Sequence, residues 1–343
     1  MKLFGVGISG PTLTAPERRI LERDTPWAVI LFRRNIESVE QLRSLTRQIA
    51  DLPGRPLLCV DQEGGPVDRL RHLLGPTISF RRAAEAGQAR DAGQLAGEAC
   101  AQMGFDIDLA PVVDRLLPGA SEPILAERAA SSDPTVIARA ANDFLLGLSE
   151  SGIGGCAKHF PGLGRANLDT HKELPRIPAD PREEELDLAP FIATMETAGA
   201  VMISHAAGPD GVPASLSRDT AHQLLRQRLG FTGAAFSDDL EMGALAAFGD
   251  LPERCVAAAQ AGCDLLFVCS QIDEYKDCVA AVESGVSEER REEAQKRLAR
   301  YGSHLERIRT GARTHDDLES LRSRIGLLSA AGDACSMRRK SEV

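Results

Sequence analysis

The 343-residue sequence predicts an α/β fold, a (β/α)8 TIM barrel built as a single domain, and two observations carry that expectation. Eight short apolar runs recur roughly 30–50 residues apart, each followed by a polar or glycine-rich turn and then a longer helical pattern. The runs are nearly continuous in hydrophobicity rather than alternating, which suits strands buried on both faces of a parallel sheet.

In chain order the runs are LFGVGI from Leu3, WAVILF from Trp27, PLLCVD from Pro56 and IDLAPV from Ile107. They continue with IGGCAKH from Ile153, AVMISH from Ala200, GAAFSDD from Gly233 and DLLFVC from Asp264. Between them lie helical segments with readable ends. SVEQLRSLTRQIA opens on Ser38 as N-cap, and Gln41 three residues on completes a capping box. SDPTVIARAANDFLLGLSESG has Asp133 as N-cap, Pro134 at the first helical position and Gly152 after its end. RDTAHQLLRQRLG closes on Gly230 and ERCVAAAQAG on Gly262. An open doubly wound sheet is the competing arrangement, but no GxGxxG follows the first run and GISGPTL is not a phosphate loop. No linker interrupts the pattern before about residue 310, so residues 1–310 read as the barrel. Residues 311–343, charged and serine-rich, read as a C-terminal helix and a disordered tail.

Hydrophobic residues make up 43% of the chain, enough for a large core, and the formal net charge is −10. That charge argues against nucleic acid or an anionic membrane as partner. The eight cysteines form no CxxC pair and mostly sit in apolar runs, which reads as reduced, buried thiols. The run beginning MKLFGVG is too short for a secretory signal or a membrane span, so the expectation is a cytoplasmic protein.

In such a barrel the chemistry sits at the C-terminal ends of the strands. The second run ends in Phe32, Arg33, Arg34 and Asn35, the third in Asp61, Gln62 and Glu63, and the fourth leads to Asp114. The fifth ends in Lys158 and His159, the sixth in Ser204 and His205, the seventh in Ser237, Asp238 and Asp239. Strand ends are polar wherever they meet water, but that explains a whole ring of ionisable groups poorly. Asp238, fixed at a strand end, suits a carboxylate that attacks an electrophilic carbon or steadies a developing cation. Asp239, its neighbour, should point to the opposite face. Asp169 and His171, two apart on the long loop after the fifth run, would share one side of an extended segment, so that the carboxylate orients an imidazole proton shuttle. By itself such a pair reads more readily as a surface contact than as catalysis. A metal held by His159, His171, His205 and Asp61 is a further alternative, although no HxH follows the first run.

Three motifs taken together, AKHFPGLG…DTH…LP, VDQEGGPVDRL and FSDDLEMGA, resemble the family-three glycoside hydrolases, most closely the bacterial cytoplasmic β-N-acetylhexosaminidases. The resemblance runs from GISGPTL through VILFRRNIESVEQL, LAPVVD and SSDP to AGCDLLFVC, one motif per strand end and in order. It implies Asp238 as nucleophile, His171 as general acid/base with Asp169 as its partner, and Asp61, Arg69, Arg128, Lys158 and His159 as sugar-binding residues. Carboxylates and guanidinium groups pair with vicinal hydroxyls through two hydrogen bonds at once, as a polyol requires. The implied reaction is retaining hydrolysis of a terminal non-reducing GlcNAc through a covalent glycosyl-enzyme, without metal or cofactor, on GlcNAc–anhydromuramoyl peptides of cell-wall recycling. A glycine-bearing loop, Pro161 to Asn167, would let His171 swing in on substrate binding. The expected partner is this small carbohydrate alone, with the chain a monomer.

The sequence departs from the family pattern at three places: Leu163 replaces the second histidine of Pro-Gly-His-Gly, Pro66 replaces the arginine of Gly-Gly-Arg, and Ala129 and Ala130 replace the Ser-Phe after Arg128. Alternatives of other classes are a phosphorylase, since a deprotonated imidazole would not repel phosphate, a substrate-assisted mechanism on Asp238 and Asp239, and a barrel that binds sugar without turning it over.

Overall fold

A computed structural model describes residues 2–118, 122–166, 174–312 and 316–341. Each of the eight apolar runs forms a barrel strand. They are Lys2–Gly7, Pro26–Leu31, Leu57–Val60, Ile107–Asp108, Ala157–Phe160, Ala200–Ile203, Ala234–Asp239 and Leu265–Val268. All neighbouring pairs are parallel, in the order four-three-two-one-eight-seven-six-five. The ring closes between the fourth and fifth strands. Parallel bridges join Ile107 to Gly154 and Val112 to Lys158. The Asp108 amide donates to Gly154 O at 2.9 Å, and Cys156 N to Ala110 O at 2.8 Å. The closed (β/α)8 barrel therefore holds, and the open sheet does not.

The strands alternate between two cores. Inward residues, among them Ile30, Cys59, Ile107, Met202, Phe236 and Phe267, fill the barrel. Outward residues such as Val29, Leu31, Leu58 and Val201 pack under the helices. The helix Glu288–Thr310 closes the base, contributing Ala294, Leu298, Tyr301 and Leu305 to the interior. The Tyr301 hydroxyl donates to Gly155 O at 2.7 Å. A Cβ on Gly154 would fall 2.2 Å from Leu305 Cδ2, so glycine there is what lets this helix seat against the strand. With the base plugged, the C-terminal ends of the strands form the open mouth.

The capping expectations meet one correction. Ser38 Oγ accepts the Gln41 amide at 3.1 Å, but no box forms. The Gln41 side chain instead accepts from Glu37 N and donates to Pro11 O and Asn35 O, because the polypeptide entering this helix offers it better partners than Ser38 N–H. Asp133 caps Pro134–Glu150, and Gly152 follows with φ +77°. The segment Asp219–Arg228 is wound as a π-helix before Gly230. A last helix, Leu318–Ser341, buries Leu321 and Ile325, with Arg324 bonded to Glu98 and Ser329 to Pro76 O. All eight cysteines are free thiols and seven are buried, Cys335 being partly exposed. Among the described residues no helix is long and apolar enough to cross a membrane.

Candidate active site

A cavity of about 330 Å³ lies in the barrel mouth. Asp61, Arg69, Arg128, Lys158, His159 and Asp238 all border it, drawn from strands or loops up to 177 residues apart (238 − 61). Asp169 and His171 lie outside the described residues. A larger hollow of about 670 Å³ opens beside the loops after the fifth and sixth strands, lined in part by Ile177, Pro181, Leu224 and Arg228. None of the convergent groups lines it, so the chemistry belongs to the smaller cavity.

The charged groups form one alternating chain along the cavity wall. Arg69 Nη2 stands 3.6 Å from Asp61 Oδ2, and Asp61 Oδ1 accepts from Lys158 Nζ at 2.7 Å. Lys158 also reaches Glu63 Oε1 at 2.5 Å. Glu63 takes both Nε and Nη2 of Arg128 at 2.7 and 2.9 Å. Arg128 Nη2 lies 3.4 Å from His159 Nε2, and His159 Nδ1 is 2.7 Å from Asp114 Oδ2. The electrostatics follow from this alternation. Burial disfavours the Glu63 carboxylate, yet Arg128 and Lys158 outweigh it and hold the group far below the usual carboxylate range. Burial likewise disfavours charged Lys158, but Asp61 and Glu63 overcome it and push the amine well above the ordinary lysine value. Glu63 and Asp114 are the residues that the motif-based reading of the site passed over. Both stand among the polar strand ends, and Glu63 has a further signal in the two glycines after it: Gly64 and Gly65 have φ +86° and +59°, and they turn the chain into the hairpin Gln62–Gly64/Val67–Asp68 that presents Glu63.

Asp238 sits near the end of the seventh strand. Ser237 Oγ accepts the Phe267 amide at 3.0 Å, tying that strand end to the eighth strand. Asp238 Oδ1 accepts its neighbour's amide at 2.8 Å. Burial opposes ionisation of Asp238, but His205, His159, that amide and Lys158 outweigh it, so its carboxyl lies below its ordinary value. Asp239 does not turn to the far face as strict alternation predicts. The register between strands seven and eight shifts, Leu265 facing Phe236 and Phe267 facing Asp239, and this irregularity leaves both aspartates bordering the cavity. Burial and then the charge of Glu241 push Asp239 up to about 7. His205 is fully buried, its Nδ1 2.7 Å from Ser215 Oγ and its Nε2 2.8 Å from Asp239 O. Burial lowers its pKa, and its Nε2 contact ties the ring to the Asp239 backbone carbonyl. With both nitrogens so engaged it is not a free ligand, and among the described residues no group of His, Cys, Asp and Glu is arranged to hold a metal ion.

Of the three sequence departures, Leu163 borders the cavity, Ala129 and Ala130 are packed in apolar clusters, and Pro66 is exposed. Leu163 and Ala129 meet in one apolar cluster with Val112, Leu125, Ala166 and Ala206. The Leu163 amide donates to Asp114 Oδ1 at 2.7 Å. Ala130 packs in the main core. Pro66 is exposed in the turn of the hairpin, next to Val67, which borders the cavity. The segment ending at Ala166 is held further by Arg165 Nε, 2.6 Å from Asp187 Oδ2.

Comparison with known proteins agrees with this geometry. Residues 12–301 match the model of the glycosyl hydrolase family 3 N-terminal domain. A beta-hexosaminidase of Xanthomonas oryzae pv. oryzae is 38% identical over 283 residues, spanning 77% of this chain and 82% of its own. Among solved structures, a family 3 beta-N-acetylglucosaminidase from Paenibacillus sp. superposes with a TM-score of 0.83 at 28% identity, over 95% of this chain and 67% of its own. NagZ from Neisseria gonorrhoeae in complex with N-trifluoroacetyl-D-glucosamine does so with a TM-score of 0.83 at 26% identity, over 96% and 98%. A barrel matched along most of its length, with a carboxylate held below its ordinary pKa at the end of its seventh strand and Arg69, Arg128 and Lys158 bordering the same cavity, places this chain in glycosyl hydrolase family 3 as a glycoside hydrolase.

Proposed function

We propose that this protein is a retaining β-N-acetylhexosaminidase that removes terminal non-reducing GlcNAc from GlcNAc–anhydromuramoyl peptides during cell-wall recycling, acting as a cytoplasmic monomer. The observation that carries the reading is Asp238: a carboxylate kept ionised at the cavity wall, beside sugar-binding candidates Asp61, Arg69, Arg128, Lys158 and His159. Asp238 attacks the anomeric carbon while His171, oriented by Asp169, protonates the leaving oxygen. Water activated by His171 then releases the sugar from the glycosyl-enzyme. The cavity volume of about 330 Å³ suits one sugar ring, so the peptide-bearing part of the substrate would lie outside it. The names of the relatives, beta-hexosaminidase and beta-N-acetylglucosaminidase, support GlcNAc in the first position.

A second reading is favoured by one observation, that Asp239 shares the cavity and is pushed up to about 7 while Asp238 is held low. Two carboxyls with separated pKa values would also serve a substrate-assisted reaction in which the acetamido oxygen attacks. Incubation with a 5-fluoro GlcNAc fluoride followed by peptide mass mapping separates the two. A covalent adduct on Asp238 is expected; turnover without any adduct, or an adduct elsewhere, overturns the proposed mechanism. Turnover of a chromogenic GlcNAc glycoside in phosphate buffer is expected to yield free GlcNAc, and sugar 1-phosphate would mean a phosphorylase instead.

A further inference from the structure

We propose that Glu63 is a positioning residue for this reaction: its buried carboxylate, clasped between Lys158 and Arg128, holds the two cations as a matched pair facing the substrate cavity. The inference rests on the sugar-binding role proposed above for those cations. Glu63 is 3% exposed and lies three residues past the third strand, on the hairpin whose turn needs its two glycines. A Cβ on Gly64 would come 2.2 Å from Ile78 O, so the hairpin carrying Glu63 packs its backbone directly against the segment at Ile78. From that place it meets Arg128 through two parallel hydrogen bonds and Lys158 through one.

Charge counting gives Glu63 its importance. Three cations, Lys158, Arg128 and Arg69, are matched within contact distance by only two anions, Asp61 and Glu63. The other titratable groups around Lys158 are Asp108 behind it, whose carboxyl is pushed up to about 8, Asp238, His159 next in the chain, and the Cys156 thiol, which burial keeps protonated. None replaces a contact at 2.5 Å. Without the Glu63 charge, Lys158 and Arg128 would repel one another across a water-poor site with Asp61 alone to share. Lys158 is the group that yields, because an amine can shed its proton there and a guanidinium cannot.

The test is Glu63→Gln, which keeps the shape and removes the charge. Lysine labelled with 13C at Cε reports the titration of each of the six lysines by NMR. In the wild type the Lys158 signal is expected to stay in the charged form above pH 11. In E63Q it is expected to titrate at least about one pH unit lower than in the wild type, with kcat/KM on a chromogenic GlcNAc glycoside down about tenfold or more and cooperative thermal unfolding retained. An unchanged Lys158 titration in E63Q overturns the proposal even if activity falls. A shifted titration with wild-type kcat/KM overturns it equally. Should E63Q fail to fold, the wild-type titration decides, and a Lys158 that becomes neutral below pH 10 ends the idea. A wild-type protein inert on the glycoside would sink the sugar-binding reading but leave the titration result standing.

Discussion

His159 Nδ1 lies 2.7 Å from Asp114 Oδ2, while its other nitrogen faces Arg128 Nη2 at 3.4 Å. An arginine has only protons to offer, so this arrangement assigns the ring proton to Nδ1 and leaves the Nε2 lone pair toward the guanidinium. Asp114 also accepts from the amides of His159 and Leu163. Every neighbour of Asp114 is a donor. It therefore fixes one sugar-binding candidate and the start of the loop after the fifth strand at the same time.

Asp114→Ala is expected to lower kcat/KM on a GlcNAc glycoside by about 10–100-fold, the size of one charge-assisted hydrogen bond lost from an oriented ring. Asp114→Asn should recover little of it, because the amide nitrogen would face N–H donors. Steady-state kinetics of both variants check this; near-wild-type rates for Asp114→Ala would show that His159 does not depend on its carboxylate.

Asp108 supplies a pH prediction. It is fully buried, its Oδ1 accepts the Gln62 amide at 2.9 Å, and burial pushes it up to about 8. The unfolded chain would titrate this group near pH 4. Between those values the folded protein holds a proton that the unfolded chain lacks, so Asp108 makes stability fall as pH rises from about 4 to about 8. Asp108→Asn removes that penalty. Its Tm should exceed the wild type's above pH 8, by about 2–4 °C for each kcal/mol recovered, and the difference should vanish near pH 4. A variant destabilised equally at pH 4 and pH 9 in calorimetry would count against this account.

Asp264 stands at the opposite end of the barrel, at the start of the eighth strand. It accepts from Arg226 at 2.7 Å, Arg290 at 2.9 Å, Arg297 at 3.2 Å and the Ala235 amide at 3.0 Å, and it is fully buried. Asp264→Ala removes the carboxylate partner of Arg226 and Arg290, while Arg297 keeps Glu293, and such a loss costs about 3–5 kcal/mol in comparable buried pairs. Urea unfolding should show that loss. If the folded fraction survives, its KM should match the wild type's, since the cluster lies far from the mouth.

Leu163→Ala tests the packing of the loop base. Leu163 is 5% exposed within a cluster at the rim of the barrel. Truncation should cost about 2 kcal/mol, near the lower end for a buried leucine because a rim site can partly collapse. Thermal unfolding measures it, and no change in Tm would mean that the cluster does not hold the segment.

Much of this was legible along the chain, and the particular residues show why. The eight strands and their polar ends could be read because each is a local event: a short apolar run stopped by groups that need water. Ser237 and Asp238 stood out for the same reason. Glu63 did not, although it sits in the same motif as Asp61, because its value depends on Arg128 and Lys158, 65 and 95 residues further on. Asp239 was misread by alternation, since a register shift against the eighth strand is invisible in one strand's own pattern. Leu163 and Ala129, 34 residues apart in the chain, belong to one apolar cluster that the sequence does not announce.

By itself the order of residues determined the alternation of strand and helix, the caps that begin and end the helices, and which side chains would stand at the mouth. Those properties arise from neighbours within a few positions, where chain geometry leaves few choices. The closure of the ring at Ile107 and Gly154, the pairing of charges along the cavity and the ionisation of Asp238 were decided only by the tertiary structure. Distance between remote residues and the exclusion of water are set by the packed whole, and both determine what a charge is worth.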